Sequence, residues 1–209
     1  MRSNLIEMTN VILTDLDGVI RIWSPEIHRK AERATGLPEG AIFGIAFSDD
    51  LLPLVITGRI SDDEWRRRIA DLLSKDFPEA DAERAVELWS ASPGEVDLEV
   101  LEILRTCREK AKLVLISNAT SRLPSDLRRL GIAEDFDYII NSSEVGFTKP
   151  DPNIYFTALD TVGATPGQAL FIDDKAGHVA AATRLGIAGH TYTGADGLRQ
   201  KLDHLGLLQ

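Results

Sequence analysis

Four places in this sequence set oxygen- or nitrogen-bearing side chains just beyond a short apolar run. Val11-Ile12-Leu13 leads into Thr14-Asp15-Leu16-Asp17-Gly18, and KLVLI (Lys112 to Ile116) leads into Ser117-Asn118. DYII (Asp137 to Ile140) is followed, after a short loop, by Lys149-Pro150-Asp151-Pro152. ALFI (Ala169 to Ile172) leads into Asp173-Asp174. Brought to one point, these supply four carboxylates, a hydroxyl, an amide and a lysine. Carboxylates clustered without cysteine or paired histidine suit a hard cation such as Mg2+, which takes oxygen ligands. A cation, a lysine and small hydrogen-bond donors around one point suit a phosphoryl group, whose charge must be neutralised in the transition state. An aspartate in such a place can attack phosphorus and become an aspartyl-phosphate.

Each piece alone has an ordinary structural reading. Asp173-Asp174 and Ser117-Asn118 can cap helices, and a lone Lys149 reads as a solvated surface lysine. Asp15 and Asp17 fit a simple turn poorly. Two acids directly beyond a buried strand, followed by glycine, repel one another unless a cation is near. The chemistry is carried by the set.

The elements that must position these groups follow from the apolar pattern. Strands are expected at Val11–Leu13, Lys112–Ile116, Asp137–Ile140, Ala169–Ile172 and Ile187–Tyr192. Three of these runs are continuously apolar, as strands buried on both faces are. Helices are expected at Leu98–Arg108, Arg122–Leu130, Asn153–Val162 and Lys175–Leu185, the last three stopped by Gly131, Gly163 and Gly186. Strands alternating with such helices imply a three-layer α/β/α, Rossmann-like core around a central parallel sheet. In an open parallel sheet, reactive groups collect at the carboxyl ends of the strands.

Ile20 to about Ser92 reads differently. Pro25–Thr35, Ser61–Ser74 and Ala80–Ser90 are amphipathic and helical, and no strand is expected between Ile20 and Ser92. Ser61 and Glu64 have capping-box spacing, with Trp65 opening the apolar face. Pro93-Gly94 marks the return to the sheet. The expected organisation is a core of residues 1–20 and 92–209, with a small all-helical domain, residues 21–91, inserted after the first strand.

Composition narrows the function classes. With 209 residues, the chain is ample for one sizeable core. Its 23 basic and 33 acidic residues leave a formal charge of −10. So acidic a surface argues against nucleic acid and anionic membrane as partners. No window approaches the apolar length of a membrane span, and the first residues carry no signal-peptide run. The single cysteine, Cys107, excludes an intrachain disulfide and fits a cytoplasmic setting. His28, His190 and His204 match no metal spacing and are expected in structural or surface roles. Arg66-Arg67-Arg68 is read as a solvated helix face, and Trp23, Trp65 and Trp89 as packing in or beside the insert.

The four segments together resemble the haloacid dehalogenase (HAD) superfamily. TDLDGVI is similar to its first motif, LISNAT to the second, Lys149 in GFTKPDPNIY to the third and FIDDKAGHV to the fourth. The resemblance spans Val11–Ile20 and about Leu98–Tyr192. The insert is placed like the helical cap found between motifs one and two. TGRISDDEW (Thr57 to Trp65) is similar to cap sequences of the phosphatase branch, which includes the phosphatase domain of soluble epoxide hydrolases and bacterial sugar-phosphate phosphatases.

The resemblance implies a Mg2+-dependent phosphomonoester hydrolase of a small phosphorylated metabolite. It implies Asp15 as nucleophile and Asp17 as the acid, then the base. Ser117, Asn118 and Lys149 would bind the phosphoryl group. Mg2+ would be held by Asp15, the Asp17 carbonyl and the Asp173–Asp174 pair, with Asp174 favoured as the direct ligand. Gly18 would let the chain leave the strand sharply.

Asp17 separates chemistries, because the dehalogenases of the superfamily need neither this acid nor Mg2+. A phosphosugar mutase with the same Asp15 is the nearest alternative; a 2-haloacid dehalogenase or a non-catalytic phosphate binder stands further off. A response-regulator receiver uses similar groups in another order, with its acidic pair after the first strand and its lysine last. Thr14 and His178 depart from the family pattern. Thr14 is expected to change packing only, and His178 to be an exposed helix residue. The linkers Ile20–Pro25 and Ala91–Asp97 are expected to hinge. Phe43–Asp50 and Thr57–Arg59 are expected to set specificity, in a monomer or homodimer.

Overall fold

The computed structural model describes residues 8–208. The expectation that the first residues carry no signal-peptide run falls largely on residues 1–7, outside the described residues. In chain order the elements are β1 (Val11–Thr14), β2 (Arg21–Ile22), α1 (Glu26–Thr35), α2 (Ala41–Ala46), α3 (Leu52–Ile56), α4 (Asp62–Asp76) and α5 (Ala82–Ser90). There follow β3 (Glu95–Val96), α6 (Leu98–Cys107), β4 (Lys112–Ser117), α7 (Leu123–Leu130), β5 (Tyr138–Asn141) and α8 (Ser142–Val145). The chain ends with α9 (Pro152–Val162), β6 (Ala169–Asp173), α10 (Ala176–Arg184), β7 (Ala188–Thr191) and α11 (Ala195–His204).

Five of the strands form one parallel sheet in the order β5-β4-β1-β6-β7. Successive side chains of a strand point to opposite faces, so both faces of the central strands must be apolar. Ile12, Leu113, Leu115, Leu170 and Ile172 pack on one face against residues of α6, α7 and α11. Leu13, Val114, Ile116 and Phe171 pack on the other against Ile154 and Tyr155 of α9 and Val179 and Ala182 of α10. Each fully buried side chain of this size contributes about 1.5–3 kcal/mol. The result is the expected three-layer architecture.

Register then aligns the strand ends. Thr14 lies opposite Leu115 and Ile172. Asp15 therefore leaves β1 level with Ile116 and Asp173, and Ser117 follows one residue further along β4. Both Ser117 and Asp173 are the last residues of their strands, where the expected strands had stopped one residue earlier.

Helices α1 to α5 lie between β2 and β3 and enclose a separate apolar cluster of Ile42, Val55, Trp65, Ile69, Leu73 and Val86. α1, α4 and α5 match the expected helices; α2 and α3 are additional. Ser61 accepts a hydrogen bond from the Glu64 amide at 3.2 Å. The Glu64 carboxylate turns to Arg67 and Arg68. The same segment holds a correction. Arg21 and Ile22 form a strand, paired antiparallel with Val96 and Glu95. This ribbon joins the two ends of the insert, and the Asp97 amide donates to the Ile20 carbonyl at 2.8 Å beside it.

The insert touches the sheet layers at a polar seam. The Asp62 amide donates to Ser121 Oγ at 3.0 Å, and Thr120 Oγ1 donates to Asp62 Oδ1 at 2.6 Å. Ser142 Oγ donates to the Ile56 carbonyl at 2.6 Å. Among the described residues, no helix is long and apolar enough to cross a membrane.

Candidate active site

Asp15 is 5% exposed, directly beyond β1. Its amide still pairs with Ile172, and its Oδ1 accepts the Leu16 amide at 2.7 Å, which turns the carboxylate over the strand end. Thr14 is fully buried and its hydroxyl donates to the Asp15 carbonyl, a packing role as expected. Lys149, 3% exposed, reaches the same point from the loop before α9. Its Nζ lies 2.7 Å from Asp15 Oδ1 and 2.8 Å from Asp173 Oδ2. It is not the solvated lysine that the residue alone would suggest.

Asp173 is held by three neighbours. It accepts from Lys149 Nζ, from the Lys175 amide at 2.8 Å and faces His178 Nδ1 at 3.0 Å. His178 corrects an expectation: it is largely buried against Asp173 and does not project into water. The cause is the phase of α10. With Lys175 at the N-cap, residue 178 falls on the turn that faces back toward β6.

Burial pushes the Asp15 carboxyl up to about 6, against the pull of the Lys149 charge; Asp173 and Asp17 add to the rise. Burial alone would raise Asp173 too. The His178 hydrogen bond and the Lys149 charge outweigh it and hold that carboxyl at about 2. Asp174 is raised, first by burial and then by the charge of Asp173.

Carboxylate oxygens of Asp15, Asp173 and Asp174 lie within 4.8 Å of one another, a grouping able to hold a metal ion. The donors are all oxygen, which suits a hard cation. Lys149, Lys175 and His178 already hold Asp173, which leaves Asp15 and Asp174 the less engaged of the three carboxylates. Gly18 brings Asp174 close to the loop after β1. It has φ +83°, and a Cβ there would sit 2.6 Å from Asp174 Oδ2. Only glycine accommodates both the left-handed backbone and the approaching carboxylate.

Ser117 Oγ is buried and makes no hydrogen bond among the described residues. A buried hydroxyl without a partner is costly unless something else bonds it, and an oxyanion at this strand end would. Asn118 is used differently. Its amide accepts from the Lys149 nitrogen at 2.7 Å and donates to the Lys149 carbonyl at 2.9 Å, so it clamps the lysine backbone.

Asp17 lies beside the group with its carboxylate on Arg21 and Trp23. Sequence reasoning missed Arg21 and the inward side of His178. The i,i+4 spacing of Asp17 and Arg21 was the available signal for the first. Cys107 is a core residue; burial pushes its thiol up to about 11, away from nucleophilic use.

The model for haloacid dehalogenase-like hydrolases matches residues 9–186, and the chain belongs to that family. It is 28% identical over 198 residues to bifunctional epoxide hydrolase 2 of Sus scrofa, across 83% of this chain and 34% of the relative. It therefore spans about a third of the length of the epoxide hydrolases it matches. It is 26% identical over 187 residues to a phosphorylated carbohydrates phosphatase of Thermotoga maritima, across 84% of this chain and 81% of the relative. It is also similar in fold to a HAD family enzyme of Bacteroides thetaiotaomicron in complex with magnesium and inorganic phosphate. There the TM-score is 0.72 at 22% identity, across 88% of this chain and 94% of the other.

Proposed function

We propose that the protein is a Mg2+-dependent phosphomonoester hydrolase of a small phosphorylated metabolite, working through an aspartyl-phosphate on Asp15. The observation that carries this reading is the buried Asp15–Lys149–Asp173 pairing beside the unpartnered Ser117 hydroxyl. A nucleophile beyond β1, a cation from the loop before α9 to neutralise the phosphoryl oxygens and a free donor at the end of β4 to bind them lie at the carboxyl end of the sheet. Similarity to the Thermotoga phosphatase over most of both chains supports the same class.

In the first step an Asp15 oxygen bonds to phosphorus and the bond to the leaving oxygen breaks. Asp17 gives its proton to that oxygen. In the second step Asp17 takes a proton from water, the water oxygen bonds to phosphorus, and the Asp15–phosphorus bond breaks to release inorganic phosphate. Lys149 and Ser117 hold the phosphoryl oxygens, and Asn118 holds Lys149. Asp15, the Asp17 carbonyl and Asp174 are the groups that fit Mg2+, which when bound neutralises phosphoryl charge.

Residues 21–91 act as a cap over a core of residues 1–20 and 92–209. The linkers around β2 and β3 serve as its hinge, and segments 43–50 and 57–59 choose the substrate. The test is phosphate release from a panel of phosphorylated metabolites and 4-nitrophenyl phosphate, with and without Mg2+, beside Asp15→Asn. The expected result is Mg2+-dependent release, lowered at least about a thousandfold in the variant. Absence of release from every compound by folded protein overturns the reading.

A further inference from the structure

The Asp17 carboxylate is held by three donors. Arg21 Nε lies 2.7 Å from Oδ1 and Arg21 Nη2 lies 2.9 Å from Oδ2, a two-pronged contact. Trp23 Nε1 donates to Oδ1 at 2.7 Å. The Arg21 guanidinium lies 4.7 Å from the centre of the Trp23 ring, so the two donors also hold each other. Arg21 is 5% exposed, unusual for an arginine unless its charge is answered on every side. On its other side Asp126 forms a longer ion pair, 3.6 Å from Arg21 Nη1, which makes no hydrogen bond among the described residues. Asp126 is itself bonded by Arg122, which reaches the Ser92 carbonyl on the other linker. Gly94 on that linker leaves room for Arg21, since a Cβ there would meet Arg21 Cγ at 2.8 Å.

We infer that Arg21 and Trp23 are positioning residues for Asp17. They fix the one side chain whose proton must meet the leaving oxygen. The inference rests on the proposed role of Asp17 as acid and base. A carboxylate offers about four acceptor positions. The three donors fill three and leave one, on Oδ2. The Asp17 side chain is 36% exposed, so the carboxylate is not closed off by its three donors. Arg21 and Trp23 both stand on the first linker, and Arg21 meets the second at Gly94 and, through Asp126 and Arg122, at Ser92. The orientation of Asp17 is thus set by the ribbon that joins the insert to the sheet layers.

The test compares two aryl leaving groups of different basicity. Phenyl phosphate needs its leaving oxygen protonated far more than 4-nitrophenyl phosphate does. The variants are Trp23→Phe, which keeps a ring over Arg21 but loses the N–H, and Arg21→Lys, which keeps the charge but loses the two-pronged contact. Asp17→Asn is the reference. Relative to wild type, Trp23→Phe and Arg21→Lys are expected to lower kcat/KM for phenyl phosphate about tenfold. For 4-nitrophenyl phosphate the expected loss is under about threefold. Asp17→Asn should show the larger version of the same selectivity.

Trp23 is exposed, so its variant folds even if the Arg21 variant does not. Equal losses on both substrates, or none, in folded Trp23→Phe overturn the inference while Asp17→Asn remains selective. If Asp17→Asn is itself unselective, the acid role of Asp17 falls first and this inference with it.

Discussion

The strand ends and the helical insert handle charge in opposite ways. At the strand ends Asp15, Lys149 and Asp173 are buried, and each answers the next in a line that ends on His178. In the insert Glu64 pairs with Arg67 and Arg68 along α4, and Arg29 pairs with Glu26 and Glu39, all near the surface. Water solvates such surface pairs whether or not they meet, so they add little to stability. Inside, a charge whose partner is removed stays desolvated and unanswered. The buried line can therefore change only as a unit, whereas these surface pairs can exchange charges one at a time. What holds the insert is its apolar cluster, and what holds the site is mutual neutralisation.

Lys149→Met attacks that contrast where the expected effect is largest. It leaves the buried carboxylates of Asp15 and Asp173 facing one another without their cation. Metal-free protein should lose about 3–5 kcal/mol in urea unfolding, and Arg67→Ala should leave the midpoint unchanged. A Lys149 variant as stable as wild type would break the contrast. Leu73→Ala probes the other side. Leu73 is fully buried in the insert cluster, so truncation should cost about 2–5 kcal/mol. If Leu73→Ala costs nothing, the insert is not held by its apolar cluster.

The difference between the two regions also governs what could be read beforehand. β1, β4 and β6 were legible because burial on both faces forces unbroken apolar runs, and the strand ends then gathered Asp15, Ser117, Lys149 and Asp173. The β2–β3 ribbon was not legible. Two residues carry no periodicity, and their partners lie far along the chain. α2 and α3 are six and five residues long, too short for an amphipathic pattern to repeat. Arg21 reads as a surface residue by type; only its paired acids make burial possible. The use of Asn118 as a clamp on Lys149 depends on a contact between separate loops, which one sequence does not encode locally.

A pH series sharpens the contrast further. The Asp15 carboxyl is raised from 3.8 to about 6 in the fold, so between these values the native state binds more protons than the unfolded chain. Stability should therefore fall as pH rises from about 4 to 6, by up to about 3 kcal/mol if the full shift is expressed. Asp173 is held at about 2, so its favourable contribution is complete above about 4 and is lost only as pH falls toward 2. Chelator-treated Asp15→Asn should show a flatter curve between pH 4 and 6. Identical slopes in the two proteins would mean that Asp15 is not desolvated as its surroundings imply.

The smallest expected effect lies at the seam where the two regions meet. Thr120 follows the Ser117-Asn118 turn, and its hydroxyl donates to Asp62 at the start of α4. Its side-chain oxygen also accepts the Arg122 amide, more weakly at 3.3 Å. Thr120→Val keeps the shape and removes the hydroxyl. Asp62 keeps its ion pair with Arg66, so it is not abandoned, and the loss should be about 1 kcal/mol. The location of the loosening matters more than its size. If the seam is what ties an independently packed insert to the sheet, amide exchange should quicken in α3 and α4 and stay unchanged in β1, β4 and β6. Uniform acceleration would mean instead that the two regions open together. The apolar cluster of the insert and the charge line of the site would then be parts of one cooperative unit.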